Sequence, residues 1–154
     1  MSTYATRIGH AHLKVRDLAR AVDFYTRFFS LKVVEQFGDH YAFLSGGDLH
    51  HELALQNVGS HAPLPPQHGV GLYHIAFEVP DRRAFAEAYN ALTSAGIAVA
   101  AVDHRISWAL YFADPDGNGL EIYCDTRNDP DGAPLWDGQN LPLSAATLRA
   151  LLTT

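Results

Sequence analysis

The sequence predicts an α+β fold made of two copies of one β-α-β-β-β module. Three observations support this prediction: an internal repeat, alternation of polar and apolar residues at the start of each copy, and helical spacing of apolar residues after it. A shift of 64 residues superposes His10 on His74, and the same shift superposes Asp17 on Asp81. The two copies therefore begin with the same strand-to-helix unit.

The later part of each copy repeats under a second shift. Moving the sequence by 69 residues superposes Phe43 on Phe112 and Glu52 on Glu121, with five residues inserted between the two shifts. Both shifts keep the same order of elements, which makes chance identity a weaker explanation. We expect one domain over residues 1–154, divided into module 1 (about 7–56), a proline- and glycine-containing linker (57–69), module 2 (about 70–124) and a C-terminal tail (125–154).

Each element of the module has its own signal. The first strands are expected at the alternating stretches that start with His10 and His74. Asp17 and Asp81 then occupy N-cap positions, and the segments behind them carry apolar residues at helical spacing. Three short strand-like segments follow each helix, at 32–36, 41–44 and 52–56 in module 1 and at 99–103, 109–113 and 120–123 in module 2. Ser144 is expected to cap a short helix in the tail.

Composition and charge exclude several classes of partner. The formal net charge is -6, with 11 Lys and Arg against 17 Asp and Glu, so we expect no nucleic acid as a partner. No apolar run approaches the ~18 residues that span a bilayer, so we expect no membrane insertion. One cysteine allows no internal disulfide, and the first ten residues lack the apolar segment of a secretory signal. These features favour a cytoplasmic location.

Nine histidines stand out in a chain of this length, and two of them occupy equivalent positions of the repeat. His10 and His74 open the two modules, and Glu121 lies on the last predicted strand of module 2. Two histidines and one carboxylate form the ligand set that holds non-haem Fe(II) and leaves positions open. We therefore predict one metal bound by these three residues across a cleft between the modules. The competing interpretation is that both histidines are hydrogen-bonded sheet residues.

Two motifs resemble those of the vicinal oxygen chelate superfamily, which includes glyoxalases, bleomycin-resistance proteins and extradiol dioxygenases. The first is Gly9-His10-x-x-Leu13-x-Val15-x-Asp17-Leu18, and the second is Asp114-Pro115-Asp116-Gly117-Asn118-x-x-Glu121. The resemblance covers about residues 7–125. It implies the two-module metal-binding fold, but the same fold serves many reactions.

Further residues resemble the single-domain type I extradiol dioxygenases. The segment His50-His51-x-x-Ala54-Leu55 is similar to a strand whose second histidine is their acid-base residue, which carries over to His51. The resemblance also implies that Tyr111 and His104 contact the substrate oxygens. It implies cleavage of a catechol-type aromatic diol by dioxygen, with Fe(II), or Mn(II) in its place. A homodimer or a larger homo-oligomer is expected.

The neighbouring residues His51 and Glu52 leave two chemistries open. Adjacent strand residues point to opposite faces, so a regular strand presents only one of them to the metal. If His51 faces inward, the site is extradiol-like. If Glu52 faces inward, the site has two histidines and two glutamates and is similar to glyoxalase I; the repeat alignment favours this alternative. A bulge near Gly46 would reconcile the two patterns. A non-enzymatic ligand-binding member of the same fold is a further alternative.

Overall fold

The computed structural model describes residues 6–66 and 68–153. Residues 1–5, on which part of the secretory-signal prediction rests, lie outside the described residues. So do residue 67 of the predicted linker and residue 154 at the end of the tail. The elements in chain order are β1 (Ala11–Val15), α1 (Leu18–Phe29), β2 (Lys32–Phe37), β3 (Tyr41–Ser45), β4 (Leu53–Asn57), β5 (Ile75–Glu78), α2 (Arg82–Ser94), β6 (Ala100–Asp103), β7 (Ser107–Ala113), β8 (Gly119–Asp125), β9 (Leu141–Pro142) and α3 (Ala145–Ala150). The α+β prediction is confirmed.

The chain forms two compact units, and the first comprises Met1–Gly69 with Pro115–Asn118. Its sheet has the strand order β1-β4-β3-β2, in which β1 runs parallel to β4 and the other pairs are antiparallel. Helix α1 packs on this sheet. The apolar side chains between them are buried: Leu13, Val15, Leu18, Ala21, Tyr25, Ala42, Leu44, Leu53 and Leu55. Burial of these side chains drives the unit to fold.

The second unit comprises Val70–Asp114 with Gly119–Thr154. Its sheet has the order β5-β8-β7-β6-β9, and β5 is again parallel to β8. Helix α2 packs on β7 and β8, and α3 packs on α2. The buried side chains are Phe85, Leu92, Trp108, Leu110, Phe112, Leu120, Ile122, Cys124 and Leu148. Strands β5 to β8 and helix α2 repeat the arrangement of β1 to β4 and α1. The predicted repeat is therefore confirmed.

Strand register corrects the second half of the repeat alignment. Ala11 pairs with Leu53 in the first sheet, and its counterpart Ile75 pairs with Leu120 in the second. Leu53 and Leu120 are therefore equivalent, which makes Ala54 the counterpart of Glu121. The predicted pairing of Glu52 with Glu121 is wrong by two residues. The turns before β4 and β8 differ in length, and sequence identity alone could not place the difference.

Helix caps follow the predicted pattern. The Asp17 carboxylate accepts a hydrogen bond from Arg20 N at 3.0 Å, and Asp81 accepts from Ala84 N at 2.8 Å. These bonds satisfy backbone donors that a first helical turn leaves free. Ser144 caps α3 in the same way, with Thr147 N at 3.0 Å.

The turn Pro115–Asn118 belongs to the first unit, although it follows a strand of the second. Its Asp116 is buried and accepts from Arg16 N at 2.9 Å and from the Arg20 guanidinium at 2.5 Å. Asn118 Nδ2 donates to the Lys14 carbonyl at 3.2 Å. These bonds give a structural role to the acidic turn that carries the second family-like motif.

None of the described helices combines the length and the apolar character needed to cross a membrane.

Candidate metal and catalytic site

In the second unit, His74 and Glu121 lie side by side. His74 immediately precedes β5, rather than lying within it, and the parallel strand β8 carries Glu121 opposite Ala76. His74 Nε2 is 2.8 Å from Glu121 Oε2, and Glu121 is buried. A Cβ at Gly119 would lie 2.1 Å from the Tyr73 carbonyl oxygen. Glycine at this position therefore allows the backbone before His74 to approach β8.

The pair has the spacing of two ligands of one ion. Two ligand atoms at right angles, each about 2.1 Å from a cation, lie about 3 Å apart. The buried Nδ1 of His74 has no hydrogen-bond partner among the described residues. Within the same residues, no group of three or more His, Cys, Asp or Glu side chains is arranged to hold a metal ion. His74 and Glu121 fit a metal as a pair, and the full ligand set with His10 stays a prediction.

Tyr111 and His104 extend this cluster. Tyr111 is the cross-strand partner of Glu121, and its ring lies 5.4 Å from that of His74. Burial raises the pKa of the Tyr111 hydroxyl to about 12, helped by the charge of Glu121 and a hydrogen bond to it. His104 follows β6 in the hairpin to β7, and its Nε2 is 2.9 Å from the Tyr111 hydroxyl. His74, Glu121, Tyr111 and His104 therefore form one contiguous polar cluster in the second unit.

In the first unit, His10 and His51 lie together. His10 precedes β1, as His74 precedes β5, and its ring centroid is 4.6 Å from that of His51. Phe43 packs on the other side of His51, with ring centroids 5.0 Å apart. Partial burial lowers the pKa of His51, and positive charge on His10, His50 and His12 lowers it further. His51 therefore favours the neutral form, which is the form that accepts a proton.

Glu52 points into a turn. Its carboxylate accepts a hydrogen bond from Gly46 N at 2.9 Å, and β4 begins only at Leu53. Strand alternation carried back from β4 would turn His50 and His51 to opposite sides. That expectation is wrong, because the two Nδ1 atoms are 2.9 Å apart. Both histidines lie in the turn between β3 and β4, where strand alternation does not apply.

Sequence reasoning did not place one part of the second cluster. Trp136 and Gln139 lie beside His104: the Trp136 and His104 ring centroids are 6.2 Å apart, and the Gln139 carbonyl is 3.4 Å from His104 Nδ1. The signal was the dipeptide Asp137-Gly138, which favours a tight hairpin turn. Nothing in the sequence indicated which strand the turn would meet.

Comparisons with known proteins agree with this fold. The family model described as "Glyoxalase/Bleomycin resistance protein/Dioxygenase superfamily" matches residues 7–122. A catechol-2,3-dioxygenase of Bacillus subtilis is 39% identical over 120 residues, which are 78% of this chain and 42% of that protein. A biphenyl-2,3-diol 1,2-dioxygenase of Rhodococcus globerulus is 30% identical over 84% of this chain and 68% of its own length.

Structural similarity gives the same assignment of fold. The crystal structure of a glyoxalase/dioxygenase from Nostoc punctiforme superposes with a TM-score of 0.67 at 23% identity, covering 81% of this chain and 97% of that one. The present chain spans less than half the length of the Bacillus subtilis relative. Because the family model matches well over half of the sequence, the chain belongs to the glyoxalase, bleomycin resistance protein and dioxygenase superfamily.

Proposed function

We propose that the protein is an extradiol dioxygenase, which cleaves a catechol-type aromatic diol with dioxygen. The observation that carries the proposal is the contact series from His74 through Glu121 and Tyr111 to His104. It joins the candidate ligand pair, His74 and Glu121, to two side chains that can hydrogen-bond a diol. Two relatives named as diol dioxygenases, at 39% and 30% identity, support the same reaction class.

His10, His74 and Glu121 would hold the metal. Two neutral nitrogens and one carboxylate suit Fe(II), and Mn(II) would suit the same donors. The metal, when bound, supplies one coordination sphere in which the diol and dioxygen meet and lowers the pKa of a bound hydroxyl. The remaining chemistry belongs to side chains that move protons or bind oxygen atoms.

His51 would act as the acid-base residue. Its lowered pKa keeps the ring neutral near pH 7, so a ring nitrogen is free to take a diol proton. The same nitrogen would return the proton while the ring opens. Phe43 and His10 pack against its ring and restrict its orientation.

Tyr111 would act as a hydrogen-bond donor rather than a base. With its pKa raised to about 12, the hydroxyl keeps its proton throughout the neutral range. It can therefore stabilise negative charge on a substrate oxygen. His104, 2.9 Å from that hydroxyl, would orient it.

An anaerobic titration tests the proposal. The Fe(II)-loaded protein is mixed with catechol without oxygen, and oxygen is then admitted. We expect a yellow ring-opened product that requires both Fe(II) and oxygen. Absence of that product with a panel of catechols, together with turnover of a methylglyoxal-glutathione adduct, would replace this proposal with a glyoxalase I-like lyase. The glyoxalase I-like alternative needs Glu52 as a metal ligand. The hydrogen bond from Gly46 N to the Glu52 carboxylate argues against that role.

A further inference from the structure

We propose that the tail turn Trp136–Gln139 positions His104 by fixing which of its ring nitrogens carries the proton. The turn itself lies beyond residues 7–122, the part of the chain that matches the family model. Its catalytic consequence rests on the function proposed above, whereas its structural content does not.

The turn has a defined geometry. Gln139 N donates to the Trp136 carbonyl at 3.0 Å, and the two residues between them, Asp137 and Gly138, have φ values of 49° and 72°. Two consecutive positive φ values under such a bond define a type I′ turn, which Asp-Gly favours. Strand β9 follows at Leu141–Pro142 and pairs with β6, the strand that ends just before His104. This pairing brings the turn to His104.

Two hydrogen-bond donors lie near the Gln139 carbonyl oxygen. Trp136 Nε1 donates to it at 2.7 Å, which fixes the carbonyl in place. His104 Nδ1 lies 3.4 Å from the same oxygen, a longer hydrogen bond. The Trp136 ring meets the His104 ring nearly edge-on, with an interplanar angle of 83°.

The groups around His104 determine which of its ring nitrogens carries the proton. A carbonyl oxygen only accepts, so its neighbour Nδ1 carries the proton when His104 is neutral, a tautomer assigned from the surrounding groups. Nε2 then has a free lone pair 2.9 Å from the Tyr111 hydroxyl. Glu121 is also a hydrogen-bond partner of that hydroxyl, so the lone pair competes with the carboxylate for the single Tyr111 proton. The tail thereby offers the Tyr111 hydroxyl a second acceptor, His104, before a substrate binds.

For the proposed reaction, this makes Trp136 a positioning residue. It holds the Gln139 carbonyl, which sets His104, which in turn offers an acceptor to the Tyr111 hydroxyl. Losing this chain of contacts, as in Trp136→Ala, should lower kcat by about three- to tenfold, which is the effect of weakening one neutral hydrogen bond. KM should change less than kcat, because Trp136 acts through His104 and is not proposed to contact the substrate.

The test uses long-range proton-nitrogen NMR on the ¹⁵N-labelled full chain without added metal. The His104 signal is assigned by its loss in His104→Gln. Two variants disturb the turn independently: Gly138→Ala strains the positive φ, and Trp136→Ala removes the donor to the carbonyl. The matched control is Gly59→Ala, because Gly59 has a φ of 87° and, like Gly138, has no described heavy atom within 4 Å of an added Cβ.

We expect the Nδ1-protonated form in the wild type and in Gly59→Ala, and a mixture of tautomers in Gly138→Ala and Trp136→Ala. A wild-type His104 protonated on Nε2, or an unchanged tautomer in both turn variants, overturns the inference. If the tautomers behave as expected and no catechol is cleaved, the inference stands and the proposed function fails.

Discussion

His10 and His74 hold equivalent positions of the repeat but have different surroundings. His74 lies beside the buried carboxylate of Glu121. The counterpart of Glu121 in the first unit is Ala54, and His10 packs instead on His51. The two copies have therefore diverged, with the carboxylate in one unit and the candidate acid-base residue in the other.

Replacing a predicted ligand should abolish tight metal binding. We expect His10→Ala, His74→Ala and Glu121→Ala each to lose stoichiometric Fe(II), measured by metal analysis after gel filtration. A site that leaves positions open has few protein ligands, so each loss is large. His61→Ala, an exposed histidine in the linker, is the control and should keep full metal content. Full occupancy in any ligand variant would remove that residue from the set.

Adjacent histidines allow a paired test of the acid-base role. His51→Gln should lower kcat by about 10²–10⁴-fold, because a lost general acid-base group costs this much. His50→Gln should cost less than tenfold, because His50 is exposed, pairs with Glu35 and reaches the proposed chemistry only through its contact with His51. The anaerobic catechol complex should form in both variants. Equal losses would show that the assignment to His51 alone is wrong.

Much of the candidate site was predictable because residue type and position in the repeat are both visible in sequence. His74, Glu121, Tyr111 and His104 form one cluster, and His10 and His51 form another. The orientation of Glu52 was not predictable. It depends on a hydrogen bond to Gly46 N inside a turn, and turns carry no residue periodicity.

At the scale of elements, the first residue of α2 binds the loop that follows β8. Arg82 is the first residue of α2, and its guanidinium lies 4.1 Å from the centre of the Trp108 ring. It also pairs with Asp129 at 2.9 Å and with Asp131 at 2.5 Å. The hydrogen bond from Arg82 lowers the pKa of Asp131, so the pair stays charged at neutral pH. The loop after β8 is therefore held by one side chain.

Removing that side chain should destabilise the second unit. We expect Arg82→Ala to lower the free energy of unfolding by about 1–2 kcal/mol, from a cation–π contact and partly exposed ion pairs. Urea denaturation measures the change. Hydrogen exchange should rise in the loop that carries Asp129 and Asp131. The neighbouring variant Arg83→Ala should stay within about 0.5 kcal/mol of wild type, because Arg83 pairs with Glu87 on an exposed helix face.

Elements with strong periodicity or a clear cap were predictable, and the two-residue strand β9 was not. The bounds of α1 and α2 follow from aspartate caps and apolar spacing, and both caps are observed. Strand β9 has two residues, one of them proline, and takes its place from pairing with β6. Such a strand has too few residues to alternate, so only tertiary contacts define it.

At the scale of the whole molecule, each unit has an apolar core of its own, and among the described residues that core includes none of the predicted ligands. Folding should therefore survive removal of the metal. We expect chelator-treated protein to keep its far-ultraviolet circular dichroism and to lose catechol cleavage, which Fe(II) restores. The thermal midpoint should fall by about 5–10 °C, because ligand binding at about 100 times Kd contributes ~2.7 kcal/mol and each kcal/mol shifts the midpoint of a domain this size by ~2–4 °C. Loss of the spectrum on chelation would mean that the metal has a structural role.

Gly119 has a consequence for how this protein can vary. Any side chain there would place a carbon 2.1 Å from the Tyr73 carbonyl, one residue before His74. The obstacle is backbone, which cannot swing aside as a flexible side chain does. In a saturation mutagenesis library selected for activity, position 119 should tolerate no alternative residue, although glycine contributes no functional group to the reaction. Descendants of this sequence could change substrate by altering the residues around the cluster, but every one of them would inherit this glycine.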